Sequence, residues 1–296
     1  MTLHPEIARI VAQIPPASTT PPNPAEHRAF EAGLVAPAEE RTPVASVEDS
    51  TLAGVPVRIY ADTDEPRGSL VYFHGGAFFS GSLDTHDHVA RALAKETGWR
   101  VVSVGYSLSP EVAYPVALNE CYAVVREVAA SLDATTPLAV AGDSSGGNFV
   151  AAVTAMAHDD NFDRITHQIL YYPSVDLDFD KSRWPSLTEN AEGYGLEYNG
   201  LAPFNSFYLE GGADPADPLV SPIKREDLSG LPKALVITAG YDPLRDEGEA
   251  YAEKLREAGV DTQLKRYDAA NHGFVANFSW LPEFYEVFHD TARFLN

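Results

Sequence analysis

The sequence predicts an α/β fold, with a mostly parallel central sheet flanked by helices and covered by a helical cap, on three observations. From about residue 54 short apolar runs alternate with longer helical patterns, which is the rhythm of βαβ units. The gaps between the runs suit right-handed crossovers. The run "PLAVAGD" passes directly into "SSGGNFVAAVTAMAHD", a strand that turns sharply into a helix. With 296 residues, either one large α/β domain or two small ones could bury a sizeable core.

In chain order the expected strands are "VPVRIYA", "GSLVYFH", "RVVSVGY", "PLAVAGD", "HQILYYP", "ALVITAG" and "TQLKRYD". Helical patterns lie between them in "HDHVARALAKETG", "VALNECYAVVREVAASL", "SGGNFVAAVTAMAHD" and "DEGEAYAEKLREAG", with "PEFYEVFHDTARFLN" last. Two regions break the rhythm. Residues 1 to about 40 hold the Pro-rich linker "PPASTTPPNP" between two short helical patterns, with Asn23-Pro24 reading as an N-cap followed by an N1 proline. Residues 175–220 are too long for a simple connection. Within residues 179–208, Phe179, Trp184, Tyr194, Tyr198, Phe204, Phe207 and Tyr208 exceed twice the chain's 10% aromatic content. That region is expected to be an inserted cap, helical in part, with an aromatic underside; plain packing on the body competes as an account of each ring.

Composition narrows the function classes. Against 21 Lys and Arg stand 43 Asp and Glu, a net charge of -22, which repels nucleic acid and anionic membranes. No nucleic-acid or membrane partner is expected. The single cysteine, Cys121, has no disulfide partner within the chain and reads as a small buried apolar residue. The N-terminus has neither a basic start nor an apolar core of signal-peptide length, and no stretch approaches a membrane span. A soluble, cytoplasmic chain is expected.

The chemistry begins at Gly142-Asp143-Ser144-Ser145-Gly146. Ser144 fits G-x-S-x-G and Ser145 does not, because only Ser144 has glycine two positions to either side. At a nucleophile elbow the serine takes a strained conformation, and side chains two residues away would collide. A serine hydroxyl needs a base, and the base needs an acid to fix its tautomer. On this fold the order is serine, acid, histidine. Asp242 follows "ALVITAG" and His272 follows "TQLKRYD" in "AANHGF", so both lie just beyond strands. Asp246 and Glu247 fall at the start of the next helix, where the charge of Asp246 is favourable without any catalytic role.

Donors for a tetrahedral oxyanion are expected from the loop in "VYFHGGAFFSG", at Gly75, Gly76 and Ala77, and from Ser145. His74 is expected to brace that loop. His86 and His88 flank Asp87, but histidines at i and i+2 on a helix do not share a face; capping and surface polarity explain them better than a metal. The remaining histidines carry no companion motif.

With these residues assembled, the sequence resembles the hormone-sensitive-lipase family of α/β-hydrolase carboxylesterases. The resemblance rests on "HGGA" at 74–77, "GDSSGG" at 142–147, "DPLRDEG" at 242–248 and "HGF" at 272–274. It implies Ser144 as nucleophile with Asp242 and His272 as partners. It also implies a cap made of residues 1–40 and 175–220 over a catalytic body of residues 41–174 and 221–296. Ala77 stands where the family has glycine and Ser145 where it has alanine. "YSLSPE" at 106–111 lacks the family's arginine, so any ion pair made by that arginine is absent.

The expected activity is hydrolysis of small, uncharged carboxylic esters of short to medium acyl chain through an acyl-serine, with no metal or organic cofactor. Amidase, formamidase or carbamate hydrolysis by the same machinery is the alternative. A non-catalytic receptor on this fold is disfavoured by the retained His272, and an interfacial lipase by the acidic surface. By analogy with the family, a homodimer would form through "TQLKRYD" as an edge strand.

Overall fold

The computed structural model describes residues 2–296. Two short helices, α1 (Pro5–Val11) and α2 (Pro24–Ala32), precede the strands β1 (Ser46–Leu52) and β2 (Val55–Ala61). Next come β3 (Ser69–Phe73), α3 (Asp87–Thr97), β4 (Arg100–Val104), α4 (Val116–Ala130), β5 (Leu138–Asp143), α5 (Ser145–Asp159) and β6 (Ile165–Tyr171). The long excursion contains α6 (Ser186–Glu189) and α7 (Tyr198–Glu210). It is followed by β7 (Lys233–Tyr241), α8 (Arg245–Glu257), β8 (Thr262–Asn271), α9 (Phe274–Asn277) and α10 (Pro282–Leu295).

All seven expected strands and all five expected helices of the body form. Among the described residues eight strands make one sheet, ordered β1-β2-β4-β3-β5-β6-β7-β8. β2 runs antiparallel to both neighbours and the remaining pairs are parallel. The extra strand is β1, whose "SVEDSTL" is polar and mostly exposed. An edge strand with water on its faces needs no apolar alternation, so periodicity does not reveal it. Its pairing with β2 is set by a tight turn in which Ala53 and Gly54 both take positive φ, 50° and 80°, as a two-residue hairpin loop requires.

β3 and β5 are buried at every position, as expected of parallel strands covered on both faces. Val71, Val102, Val140 and Val236 face α4, α5 and α8, and Leu70, Val101, Ala139 and Leu235 face α3 and α10. The strand order reverses between β3 and β5, and ligands of open α/β sheets bind outside the carboxyl ends at such a point. Phe73 pairs with Gly142 across these strands, so the chain leaving β3 and the chain leaving β5 emerge side by side.

Asn23 accepts hydrogen bonds from the amides of Ala25 and Glu26, with Pro24 first in α2. Asn148 of α5 pins both ends of the long excursion, its Nδ2 donating to Ser174 O at 2.9 Å and to Val220 O at 2.8 Å. Cys121 is buried and unpaired. Among the described residues no helix is long and apolar enough to cross a membrane.

Candidate active site

Ser144 stands between β5 and α5 with φ 54° and ψ -118°, a conformation that costs a non-glycine residue on the order of 1–3 kcal/mol. Its neighbours hold it there. The Ser144 amide donates to Tyr171 O, and its carbonyl accepts from Asn148 N and Ser174 N. The flanking glycines are sterically required: a Cβ on Gly142 would lie 2.4 Å from Gly146 O, and one on Gly146 would lie 2.1 Å from Phe73 O.

His272 follows β8, and Gly273 after it takes φ 79°. Its Nε2 lies 2.9 Å from Ser144 Oγ, and its Nδ1 lies 2.8 Å from Asp242 Oδ2. A carboxylate only accepts, so Nδ1 carries the hydrogen and Nε2 is left to accept the serine hydroxyl. Asp242 is fully buried. Its Oδ1 accepts Leu244 N at 2.8 Å, and Asn190 of the excursion donates to its main-chain carbonyl at 2.9 Å. Tyr172 packs edge-on against the imidazole at 4.8 Å between centroids. Three residues far apart in sequence thus meet in one hydrogen-bonded line.

The loop after β3 is built from left-handed conformations, with φ 126° at Gly76, 48° at Ala77 and 66° at Phe78. Among the described residues the amides of Gly76, Ala77 and Ser145 have no acceptor. Gly75 corrects an expectation. Its amide donates to Asp143 Oδ1 at 2.9 Å and is therefore not a free oxyanion donor, which leaves Gly76, Ala77 and Ser145 as the available set. Ser145 Oγ is buried without a partner, so no base activates this second serine.

His74 braces the loop. Its Nδ1 donates to Gly75 O at 2.8 Å, Tyr106 OH donates to His74 O at 2.7 Å, and the two rings stack at 4.3 Å. Burial and the neighbouring His86 push the His74 imidazole down to about 4. His86 and His88 depart from the surface roles expected of them. His86 is buried, makes no cap bond and sits 3.7 Å from Asp143 Oδ2, while His88 Nε2 donates to Ala276 O at 2.7 Å. Both support the site from beneath, because α3 packs under the loops after β3 and β8. Burial pushes the Asp143 carboxyl up, but His86, Tyr72 and His74 outweigh it and the carboxylate is held low.

Over Ser144 and His272 lies a small cleft of about 50 Å³, with Leu196, Leu201, Phe204 and Asn205 of the excursion opposite Ala77. Of the seven aromatic residues singled out in 179–208, Phe204 lines this cleft. Tyr208 stacks on Phe78 at 3.9 Å, Phe207 packs on Phe79, Tyr194 on Tyr241, and Trp184 Nε1 donates to Asp176. The aromatic underside is largely a packing surface. Glu247, near the start of α8, is wholly buried and accepts the amides of Val175 and Asp176. Ser107, at the position of the missing arginine, donates to Glu120 through both hydroxyl and amide.

Residues 70–276 match the sequence model of a family described as alpha/beta hydrolase fold. The chain belongs to this family. The resemblance read from its motifs therefore holds. Among its relatives, carboxylesterase NlhH of Mycobacterium tuberculosis is 40% identical over 251 residues, covering 81% of this chain and 76% of that protein. An arylesterase of Saccharolobus solfataricus is 37% identical over 254 residues, 82% of each. Among solved structures, a hyperthermophilic esterase from Pyrobaculum calidifontis superposes with a TM-score of 0.88 at 38% identity, covering 99% of this chain and 97% of that one.

Proposed function

We propose that this chain is a serine carboxylesterase acting on small, uncharged carboxylic esters, with Ser144, His272 and Asp242 as its catalytic residues. The observation that carries the reading is the line from Asp242 through His272 to Ser144 Oγ, ending in a cleft beside three unengaged amides. The names of the relatives point the same way.

In the reaction Ser144 Oγ attacks the ester carbonyl carbon while His272 Nε2 takes its proton, and Asp242 stabilises the imidazolium. The carbonyl oxygen becomes an oxyanion accepting from Gly76, Ala77 and Ser145 amides. Collapse breaks the bond to the alkoxy oxygen, which leaves as alcohol with the proton from His272. Water, deprotonated by His272, then attacks the acyl-Ser144 carbonyl and releases the carboxylic acid and the free hydroxyl. A receptor on this fold would lack the base, whereas His272 stands at hydrogen-bonding distance from Ser144.

Residues 1–40 and 175–220 serve as the cap in this reading, over a catalytic body of residues 41–174 and 221–296. Homodimerisation would use β8, which lies at the sheet edge. The test is hydrolysis of p-nitrophenyl esters from acetate to palmitate, with Ser144→Ala alongside. Turnover greatest at short or medium chains and reduced at least about 10³-fold in the variant is the expected result. No turnover by the folded wild type would overturn the reading.

A further inference from the structure

Next to the cleft an open groove of about 290 Å³ lies between the N-terminal linker and α7. The two share one residue, Phe204, as a common wall. The remaining lining is Pro21, Pro22 and Pro203 with the hydroxyls of Ser18 and Thr20 and the ring of His27.

The walls are fastened. Ala17 N donates to Glu197 Oε2 at 2.9 Å, which ties the linker to α7. α2 buries no residue and is held by polar bonds to the loop that follows β3 and its surroundings. Arg28 donates to Phe79 O, Ser109 O and both oxygens of Glu111, and Glu31 accepts Ser80 Oγ and the Gly81 amide. His27 sits 5.9 Å from the Phe204 ring and 5.2 Å from that of Phe79.

We propose that Phe204 is a specificity-determining partition, and that the groove beyond it is a second subsite for an uncharged alkyl or aryl arm of the substrate. This inference rests on the esterase reading. Prolines, the Phe204 ring, two hydroxyls and the His27 imidazole, whose Nε2 lies 3.4 Å from Glu31 Oε1, line the groove without a lysine, arginine or carboxylate among them, which suits an uncharged arm. While the Phe204 ring stands between cleft and groove, the arm is limited to what the cleft holds. Removing the ring joins them.

The experiment measures kcat/KM of wild type, Phe204→Ala and Phe204→Ala/His27→Trp on two series, p-nitrophenyl esters of lengthening acyl chain and acetate esters of lengthening alcohol. Phe204→Leu stands in should the alanine variant misfold. In Phe204→Ala the ratio of a ten-carbon arm to the shortest member rises by about tenfold or more in one series, the scale of gained methylene contacts. The series that responds identifies the arm as acyl or alcohol. Filling the groove with the tryptophan returns the ratio to the wild-type value. An unchanged ratio in both series, or a gain that survives His27→Trp, overturns the proposal while short-ester turnover by wild type upholds the esterase reading. Wild type inert on every ester overturns the esterase reading itself.

Discussion

Asp143 Oδ1 lies 2.9 Å from the Gly75 amide, so the residue before Ser144 holds the start of the loop whose next two amides are unengaged. Tyr72 OH donates to the same carboxylate oxygen. Asp143→Ala leaves both donors buried without an acceptor, at a cost on the order of 1–3 kcal/mol each. Urea unfolding should show that loss. The rate constant kcat should fall by about tenfold or more, part of the 10²–10³ that follows loss of an oxyanion donor. Asp143→Asn, which keeps one oxygen acceptor, should recover much of both; equal damage from the two variants would contradict this bracing role.

Ala77 holds φ 48°, a left-handed conformation that costs a residue with a Cβ about 1–2 kcal/mol. Ala77→Gly relieves that cost and gives back about 0.4–1 kcal/mol through the greater freedom of the unfolded chain. A net gain in melting temperature of a few degrees or less is expected, whereas the β-branched Ala77→Val should lower it. A clear loss of stability in the glycine variant would show that the methyl packs more than it strains.

Acid should unfold the protein before its carboxylates titrate fully. His74 and His167 are buried and held down to about 4, below the unfolded value of about 6.5. Between those two values the unfolded chain binds protons that the folded chain does not, so stability falls as pH drops through this window and is level above it. For His74 the loss between pH 7.5 and 5 is about 2 kcal/mol. Denaturant titrations at the two pH values should show it, and His74→Asn should remove about that part of the difference. A pH dependence left unchanged in His74→Asn contradicts the prediction.

Glu247 works in the opposite direction. Burial and repulsion by Asp176 and Asp242 outweigh the amides of Val175 and Asp176 and push its carboxyl well above the ordinary value. Its contribution is complete below the unfolded value and is lost as pH rises through the folded one. Glu247→Gln keeps an oxygen for the Val175 and Asp176 amides and has no proton to lose. The variant should gain stability relative to wild type at pH 8 and not at pH 4. A larger loss at pH 8 than at pH 4 would contradict this.

What was legible in the sequence was local. β3, β5 and β7 are continuous apolar runs because both faces of the sheet are covered; Ser144 and Asp242 follow β5 and β7, and His272 follows the edge strand β8, each within a short motif. What was hidden depends on partners distant in sequence. Whether the Gly75 amide is free is decided by Asp143, 68 residues away. Burial of His86 depends on α3 packing beneath the site, and the division of labour among the excursion's rings depends on where Phe78 and Phe79 stand. β1 was hidden for another reason: a wet edge strand carries no apolar alternation.

The central claim is that Ser144, rather than Ser145, is the activated nucleophile. Diethyl p-nitrophenyl phosphate, which phosphorylates a serine only when a base activates it, tests this directly when followed by peptide mass spectrometry. The account predicts one equivalent of p-nitrophenol released and one diethyl phosphoryl group on Ser144, absent in Ser144→Ala. An adduct on Ser145, or none on the folded wild type, would contradict it.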